Sequence, residues 1–390
     1  MSDTPKTAVE EWLDSHWDSE NRRQIGTSVY DETSWLREVV EAGYAVPTWS
    51  REWFGLELGG REARVIEKAF QSRRAPGWGR DRFHLGAITV YKLGSEALKS
   101  ELLHTLLCGP ICCLLYSEPG AGSDLAGIRT RAVKDGDAFV VNGQKVWTSN
   151  AREAEYGMLL SRTDVDVPKH QGITFFIFPM KQAGVEIRPI NQITGESEFN
   201  EVFITNARVP ERYIIGEYNK GWKSFQVAIA SERLIMGMGI TARSARSASE
   251  KVPALLSLAE KHDKLGDSSL RQEIAQALAY RQLNSLNMQR GVEEIKQNGR
   301  SSLMSLGKLC MSRIQHGEAR ISGKILGPQV LLDDDEDARH ANFDAAKAYM
   351  NSIGGGTDQI QRNIIAERVL GLPKSEELDR TIPFREVKSS

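Results

Sequence analysis

Cysteine and histidine are scarce. The four cysteines of the 390-residue chain are Cys108, Cys112, Cys113 and Cys310, with no C-x-x-C pair, and there are seven histidines. That pattern gives no zinc framework and reads as buried, reduced thiols, so no metal site is expected. An excess of charge is also missing: 50 basic residues face 52 acidic ones, a net charge of −2. Without a Lys/Arg run, the chain offers no evident surface for nucleic acid. No stretch of eighteen apolar residues occurs, and the opening Met1-Ser-Asp-Thr-Pro-Lys6 carries no apolar signal segment. No membrane span is therefore expected, and a cytoplasmic location is. Internal repeats and long low-complexity tracts are absent as well.

The informative stretch runs from Leu114 to Asn150. It contains Ser117-Glu-Pro-Gly-Ala-Gly-Ser-Asp124 and Asn142-Gly-Gln-Lys-Val-Trp-Thr-Ser-Asn150. Between them, Arg129 to Val141 alternates apolar and polar residues around Lys134-Asp-Gly-Asp137, which predicts a hairpin and sets two loops side by side. Gly120 and Gly122 permit close backbone approach by a ligand, and Ser117, Ser123 and Ser149 supply hydroxyls. Trp147 supplies a flat apolar wall. A planar, hydrogen-bonding cofactor suits such a place. Taken alone, a glycine-rich turn is more often only a turn. Here neither a G-x-G-x-x-G fingerprint nor a Gly-Lys-Ser/Thr phosphate loop is present.

The rest of the chain changes period twice. Val9–Asp14, Trp35–Gly43, Glu62–Phe70 and Ser95–Cys108 have helical spacing, the last ended by Gly109-Pro110. Strand runs follow at Ile173–Pro179 and Val202–Val209. Helical spacing returns at Trp222–Ala245, Leu270–Gln297, Ser301–Leu326, Ala338–Ile353 and Gln359–Leu370, the pattern of a bundle. The acidic run Asp333-Asp-Asp-Glu-Asp337 reads as a solvated loop. The whole predicts an α+β fold in three parts: helical over 1–110, β over 111–215, helical bundle over 216–390.

On the two segments EPGAGSD and NGQKVWTSN, and along nearly the whole chain, the sequence resembles the acyl-CoA dehydrogenases. These flavoenzymes remove the α and β hydrogens of an acyl-CoA thioester. The resemblance implies a helical amino-terminal domain, a β-barrel-like middle domain and a carboxy-terminal helical bundle. It implies FAD as cofactor, an acyl-CoA substrate and an electron-transferring flavoprotein as acceptor. The assembly it implies is a homotetramer or dimer, or an α2β2 heterotetramer.

Residue by residue, the resemblance places Leu114, Tyr116, Ser117, Gly122, Ser123, Trp147 and Ser149 on the flavin, with Trp147 covering the ring and Ser149 near its N5 side. Gly356, Thr357 and Gln359 meet the adenine-diphosphate part, where unpaired N–H groups of the closing helix favour phosphate. Most family members carry the base, a glutamate, in a Tyr-Glu-Gly-Thr motif. Here that position is Gly355, which cannot take a proton but keeps an N–H for the thioester oxygen. The isovaleryl and long-chain branches place the glutamate on an earlier helix, in a Glu-Arg-Leu motif. Here that is Ile229-Ala-Ser-Glu-Arg-Leu-Ile235, so Glu232 takes the base's position and Arg233 sits by the acyl-CoA. Ser123 also faces the substrate.

Physical chemistry agrees with that transfer. A carboxyl within the apolar VAIASERLIMGMG is costly unless paired or used, and an apolar pocket raises its pKa toward neutrality. The rival for Glu232 is a solvated helix face or an ion pair, and for Arg233 an ion pair. One departure is larger: the Arg-x-x-Phe-Gly segment that a neighbouring subunit sends onto the flavin phosphates corresponds here to His262-Asp-Lys-Leu-Gly266, without the arginine. The expected reaction is formation of a trans-2-enoyl-CoA, the proton going to Glu232 and the hydride to flavin, with a bulky or steroid side-chain thioester as a candidate substrate. The alternatives are an acyl-CoA oxidase and a catalytically silent subunit of a mixed tetramer.

Overall fold

A computed structural model describes residues 5–17, 32–78, 85–109, 112–230, 254–298, 301–332, 334–374, 376–377 and 379–387. The chain divides into two compact units. The first holds the described residues of 1–190, 198–232 and 378–390, the second those of 191–197 and 233–377.

The first unit begins with helices α1 (Pro5–His16), α2 (Glu32–Glu41), α3 (Gly60–Arg73), α4 (Leu85–Leu93) and α5 (Glu96–Cys108). Each predicted helix of this region is present. Ser95 starts α5 by accepting the Leu98 N–H at 3.2 Å, and the helix buries Leu98, Leu102, Leu103, Leu106 and Leu107. Cys108, Cys112 and Cys113 are buried, as expected, whereas Cys310 is half-buried.

Seven strands follow: β1 (Cys113–Leu115), β2 (Arg131–Asp135), β3 (Ala138–Ser149), β4 (Tyr156–Arg162), β5 (Ile173–Pro179), β6 (Val185–Pro189) and β7 (Phe199–Pro210). Their order is β1-β4-β2-β3-β7-β6, with β5 on the other side of β4. The expected hairpin is β2–β3, closed by Gly136-Asp137 between the paired Asp135 and Ala138, with Gly136 at φ 65°. β5 is buried on both faces because its apolar run is continuous rather than alternating.

β1 and β2 pair in parallel with one edge of β4, β1 at Gly157–Leu159 and β2 where Arg131 meets Arg162. Residues 116–130 therefore leave that edge and return to it. The core behind them is continuous from Val9 to Ala228 and includes Phe139, Phe175, Phe176 and Phe178, all fully buried. A helix over 221–230 follows the sheet in this unit. The rest of the helix expected over Trp222–Ala245 lies outside the described residues.

One glycine in this frame is demanded by packing. A Cβ at Gly143 would stand 2.4 Å from Thr130 Oγ1 and 2.7 Å from Thr130 Cα. Gly143→Ala should therefore lower stability by about 1–3 kcal/mol, read as a lower denaturation midpoint at unchanged m-value.

The second unit contains α6 (Ser268–Asn298), α7 (Leu303–Leu326), α8 (Glu336–Ile353) and α9 (Asp358–Arg368), matching the expected bundle helices. The acidic run departs from the expected solvated loop. Asp335 caps α8 by accepting the Ala338 N–H at 2.9 Å, and Asp337 in its first turn pairs with Lys261 at 2.6 Å and His262 at 3.0 Å. Acidic side chains at a helix start satisfy exposed N–H groups and oppose the helix dipole, so the run has a structural use.

Candidate active site

The two signature segments lie against one another in the first unit. Val146 N–H donates to Ser117 O at 3.0 Å. Beneath them is a buried ion pair that sequence reasoning passed over: Lys145 Nζ donates to Glu118 Oε1 at 2.8 Å and to Tyr116 O at 3.0 Å. Glu118 also accepts the Arg129 N–H at 2.6 Å and the Thr130 N–H at 2.9 Å, so one carboxylate ties together both ends of the 118–130 loop and strand β3. The available signal was one opposite charge in each signature.

Burial disfavours both charges. At Glu118 attraction to Lys145, together with the hydrogen bonds to its oxygens, outweighs burial and holds the carboxyl below the usual glutamate range. At Lys145 burial wins, and the ammonium sits below the ordinary lysine value despite Glu118.

Most of the second signature is used by the fold itself. Asn142 exchanges hydrogen bonds with Asn206 at 2.9 and 3.1 Å, and Gln144 donates to Glu201 at 2.9 Å. Thr148 is buried and its carbonyl accepts from Asn200 Nδ2 at 2.9 Å. Trp147 is the exception. It lies where the β3–β7 register shifts, adopts φ 61° and leaves 58% of its surface exposed. A large aromatic in left-handed backbone, turned to solvent, is strained with little packing in return. Phe199 meets its ring edge at 6.1 Å. Ser149, half-buried, ends β3 opposite Phe199.

The first signature shows the same division. Leu114 lies in β1 opposite Met158, and the Tyr116 ring packs edge-on against Phe225 at 4.9 Å. Gly120, Gly122 and Ser123 are exposed. Neither glycine has positive φ, and a Cβ at either would meet nothing within 4 Å. The fold thus gives no reason for glycine at 120 or 122, which leaves close approach by an external group as the physical one. An exposed indole beside bare backbone and the hydroxyls of Ser117, Ser123 and Ser149 fits a flat, polar-edged cofactor.

In the second unit, Gly354 to Gln361 forms the turn into α9. Gly355 and Gly356 adopt φ 65° and 89°, which explains glycine at both. Thr357 is the N-cap, its hydroxyl accepting the Ile360 N–H at 3.2 Å, and Gln359 is exposed on the first turn. Gln361, buried, donates from Nε2 to Gly355 O at 3.4 Å. A polar chain anchors the turn: His316 Nε2 meets Ser352 Oγ at 2.7 Å, Ser352 meets Ser312 Oγ at 2.7 Å, and Ser312 donates to Asp358 at 2.8 Å. Lys308 pairs with the same Asp358 at 3.2 Å. Glu232 and Arg233 lie outside the described residues. Among the described residues no helix is long and apolar enough to cross a membrane, and no group of side chains could hold a metal ion.

Comparison with known proteins gives the frame its family. Residues 113–207 match the model of the acyl-CoA dehydrogenase middle domain, and residues 219–370 that of the carboxy-terminal domain. The acyl-CoA dehydrogenase IpdE1 of Mycobacterium tuberculosis is 38% identical over 364 residues, covering 88% of this chain and 89% of the relative. FadE34 of the same organism is 38% identical over 265 residues, 67% of this chain but 35% of FadE34, so the match spans about a third of that longer protein. The solved Tcur3481-Tcur3483 steroid ACAD is 25% identical with a TM-score of 0.72, covering 95% of this chain and 97% of that one. With its two signatures and a relative of 38% identity matched over 89% of its length, the chain belongs to the acyl-CoA dehydrogenase family of FAD-dependent oxidoreductases.

Proposed function

We propose that the chain converts a bulky acyl-CoA to its trans-2-enoyl-CoA, with Glu232 taking the α proton and the Gly355 N–H holding the thioester oxygen. Bound FAD supplies the hydride acceptor. Trp147 and Ser149 would face its ring, with Leu114, Tyr116, Ser117, Gly122 and Ser123 around it. Gly356, Thr357 and Gln359 would meet its phosphates, and Ser123 and Arg233 the substrate. The divisions 1–110, 111–215 and 216–390 would serve as the three functional parts. A steroid side-chain thioester is the favoured substrate class because the solved relative is named a steroid ACAD. A cytoplasmic location and an electron-transferring flavoprotein as acceptor complete the reading.

The observation that carries it is Trp147, a strained and exposed indole at the sheet's bulge. Trp147→Gly removes the strain and the wall together. The variant should keep its melting temperature within a few degrees, since relief of about 1 kcal/mol offsets the lost edge contact. Its FAD dissociation constant should rise by at least about tenfold. Unchanged FAD affinity would sink the assignment. Anaerobic bleaching against a panel of acyl-CoAs would identify the substrate.

A mixed assembly is favoured over a homotetramer by one feature. In the segment corresponding to the phosphate-reaching arm, His262 is paired within its own chain to Asp337, as is the adjoining Lys261. The missing arginine would then come from a sister subunit. FAD occupancy of the chain purified alone, measured against that of the co-expressed pair, tests this.

A further inference from the structure

The carboxy-terminal residues 379–387 return to the first unit and lie along its 163–170 turn. Phe384 N–H donates to Val167 O at 2.9 Å and Arg385 N–H to Val165 O at 3.0 Å, with Arg385 pairing to Asp166 at 2.9 Å. Two cations below this segment reach the other way, into the first signature loop. Lys169, 4% exposed, binds Asp379 at 2.9 Å and, on its other side, Asp124 at 3.1 Å. Arg162, 1% exposed, donates to Ala126 O at 2.6 Å, to Ile128 O at 3.4 Å and to Lys169 O at 2.7 Å.

Among the described residues Arg162 has no carboxylate partner. Its charge is met instead by the Phe384 ring, whose centroid lies 3.7 Å from the guanidinium carbon. Arg129, at the far end of the loop, donates to Val387 O at 3.2 Å and lies 5.3 Å from the same ring. The Asp379 and Phe384 side chains therefore each meet a cation that also grips residues 124–128.

We infer that residues 379–387 are a strap that positions the 118–130 loop, with Asp379 and Phe384 acting through Lys169 and Arg162. The inference rests on the reading of that loop as part of the flavin and substrate site. Burial opposes the Lys169 charge, but the Asp379 and Asp124 carboxylates outweigh it and hold its pKa above the ordinary value. Loss of Asp379 removes one of the carboxylates that hold the buried Lys169 ammonium beside Asp124, and the loop is free to drift from the geometry its ligands need. A small displacement at such a site costs far more than the contact removed.

The test uses the full chain as Asp379→Asn and Asp379→Glu, with Arg385→Ala as a control that removes a strap contact not shared with the loop. Hydrogen exchange at the amides of Ala121 and Gly127–Thr130 should speed up by about tenfold in Asp379→Asn and stay unchanged in Arg385→Ala. The FAD dissociation constant and the acyl-CoA KM should rise by about tenfold with kcat within about twofold, and Asp379→Glu should restore most of the loss. Loop exchange equal to wild type in Asp379→Asn, or equal loosening in Arg385→Ala, overturns the strap. A wild-type protein that fails to bleach with any acyl-CoA overturns the functional reading instead, and leaves the exchange result to decide the strap.

Discussion

Glu232→Gln should retain bound FAD and lose about 10²- to 10⁴-fold in kcat. The expectation comes from elimination as well as from the motif. Gly355, which the family resemblance sets where most members keep the base, has a φ of 65° that calls for glycine. Asp358, the carboxylate nearest that turn, is bound to Lys308 and Ser312 and half-buried among them. It is therefore committed to holding α9. A base must be able to take up and release a proton without breaking the frame around it, and Asp358 cannot. Glu232 lies in the Glu-Arg-Leu motif, within an apolar sequence where a carboxyl is costly unless paired or used. Rapid-mixing reduction of the flavin without oxygen is the measurement. Wild-type rates in the glutamine variant would remove the base from this chain.

Lys145→Met should destabilise the first unit by about 3–5 kcal/mol, because it leaves the Glu118 carboxylate buried without its cation. The double variant Glu118→Gln/Lys145→Met should be markedly less damaged than the single one, since neither charge remains inside. The pH dependence distinguishes this from simple loss of packing. Glu118 has a folded pKa below its unfolded one. Its contribution is complete above the ordinary glutamate pKa of about 4.3 and is lost as pH falls through the lower folded value. Wild-type stability should fall across that acid window, and the double variant should show a flatter profile. Denaturant unfolding at a series of pH values checks both; equal slopes would mean the pair is not what couples the loop to β3.

The local pattern revealed the elements, and less of how they meet. The β2–β3 hairpin was legible because alternation and the Asp-Gly-Asp run at its turn are local. The α9 start was legible because Gly-Gly-Gly-Thr-Asp-Gln announces a cap. The Lys169–Asp379 bridge was not, since it joins residues 210 apart and no periodicity encodes such a distance. The capping use of the acidic run at 334–337 is not legible, because charge alone cannot show a helix start that needs acceptors. Within the signatures, sequence could not separate residues spent on folding, such as Asn142, Gly143 and Lys145, from those the fold leaves unused. That separation came from geometry: Gly143 is crowded and Gly120 is open, although both are the same residue in equally suggestive motifs.

The placement of β1 and β2 on one edge of β4 has a further consequence. A segment whose two ends are moored to the same strand can gain or lose residues without sliding any strand past its neighbour. In the stretch between Leu115 and Arg131, the exposed positions Pro119, Gly120, Gly122 and Ser123 can change while the sheet stays in register, because Glu118, Ala126 and Ile128 hold the segment to its mount. Those four positions are thus the place where altered ligand preference would cost the scaffold least.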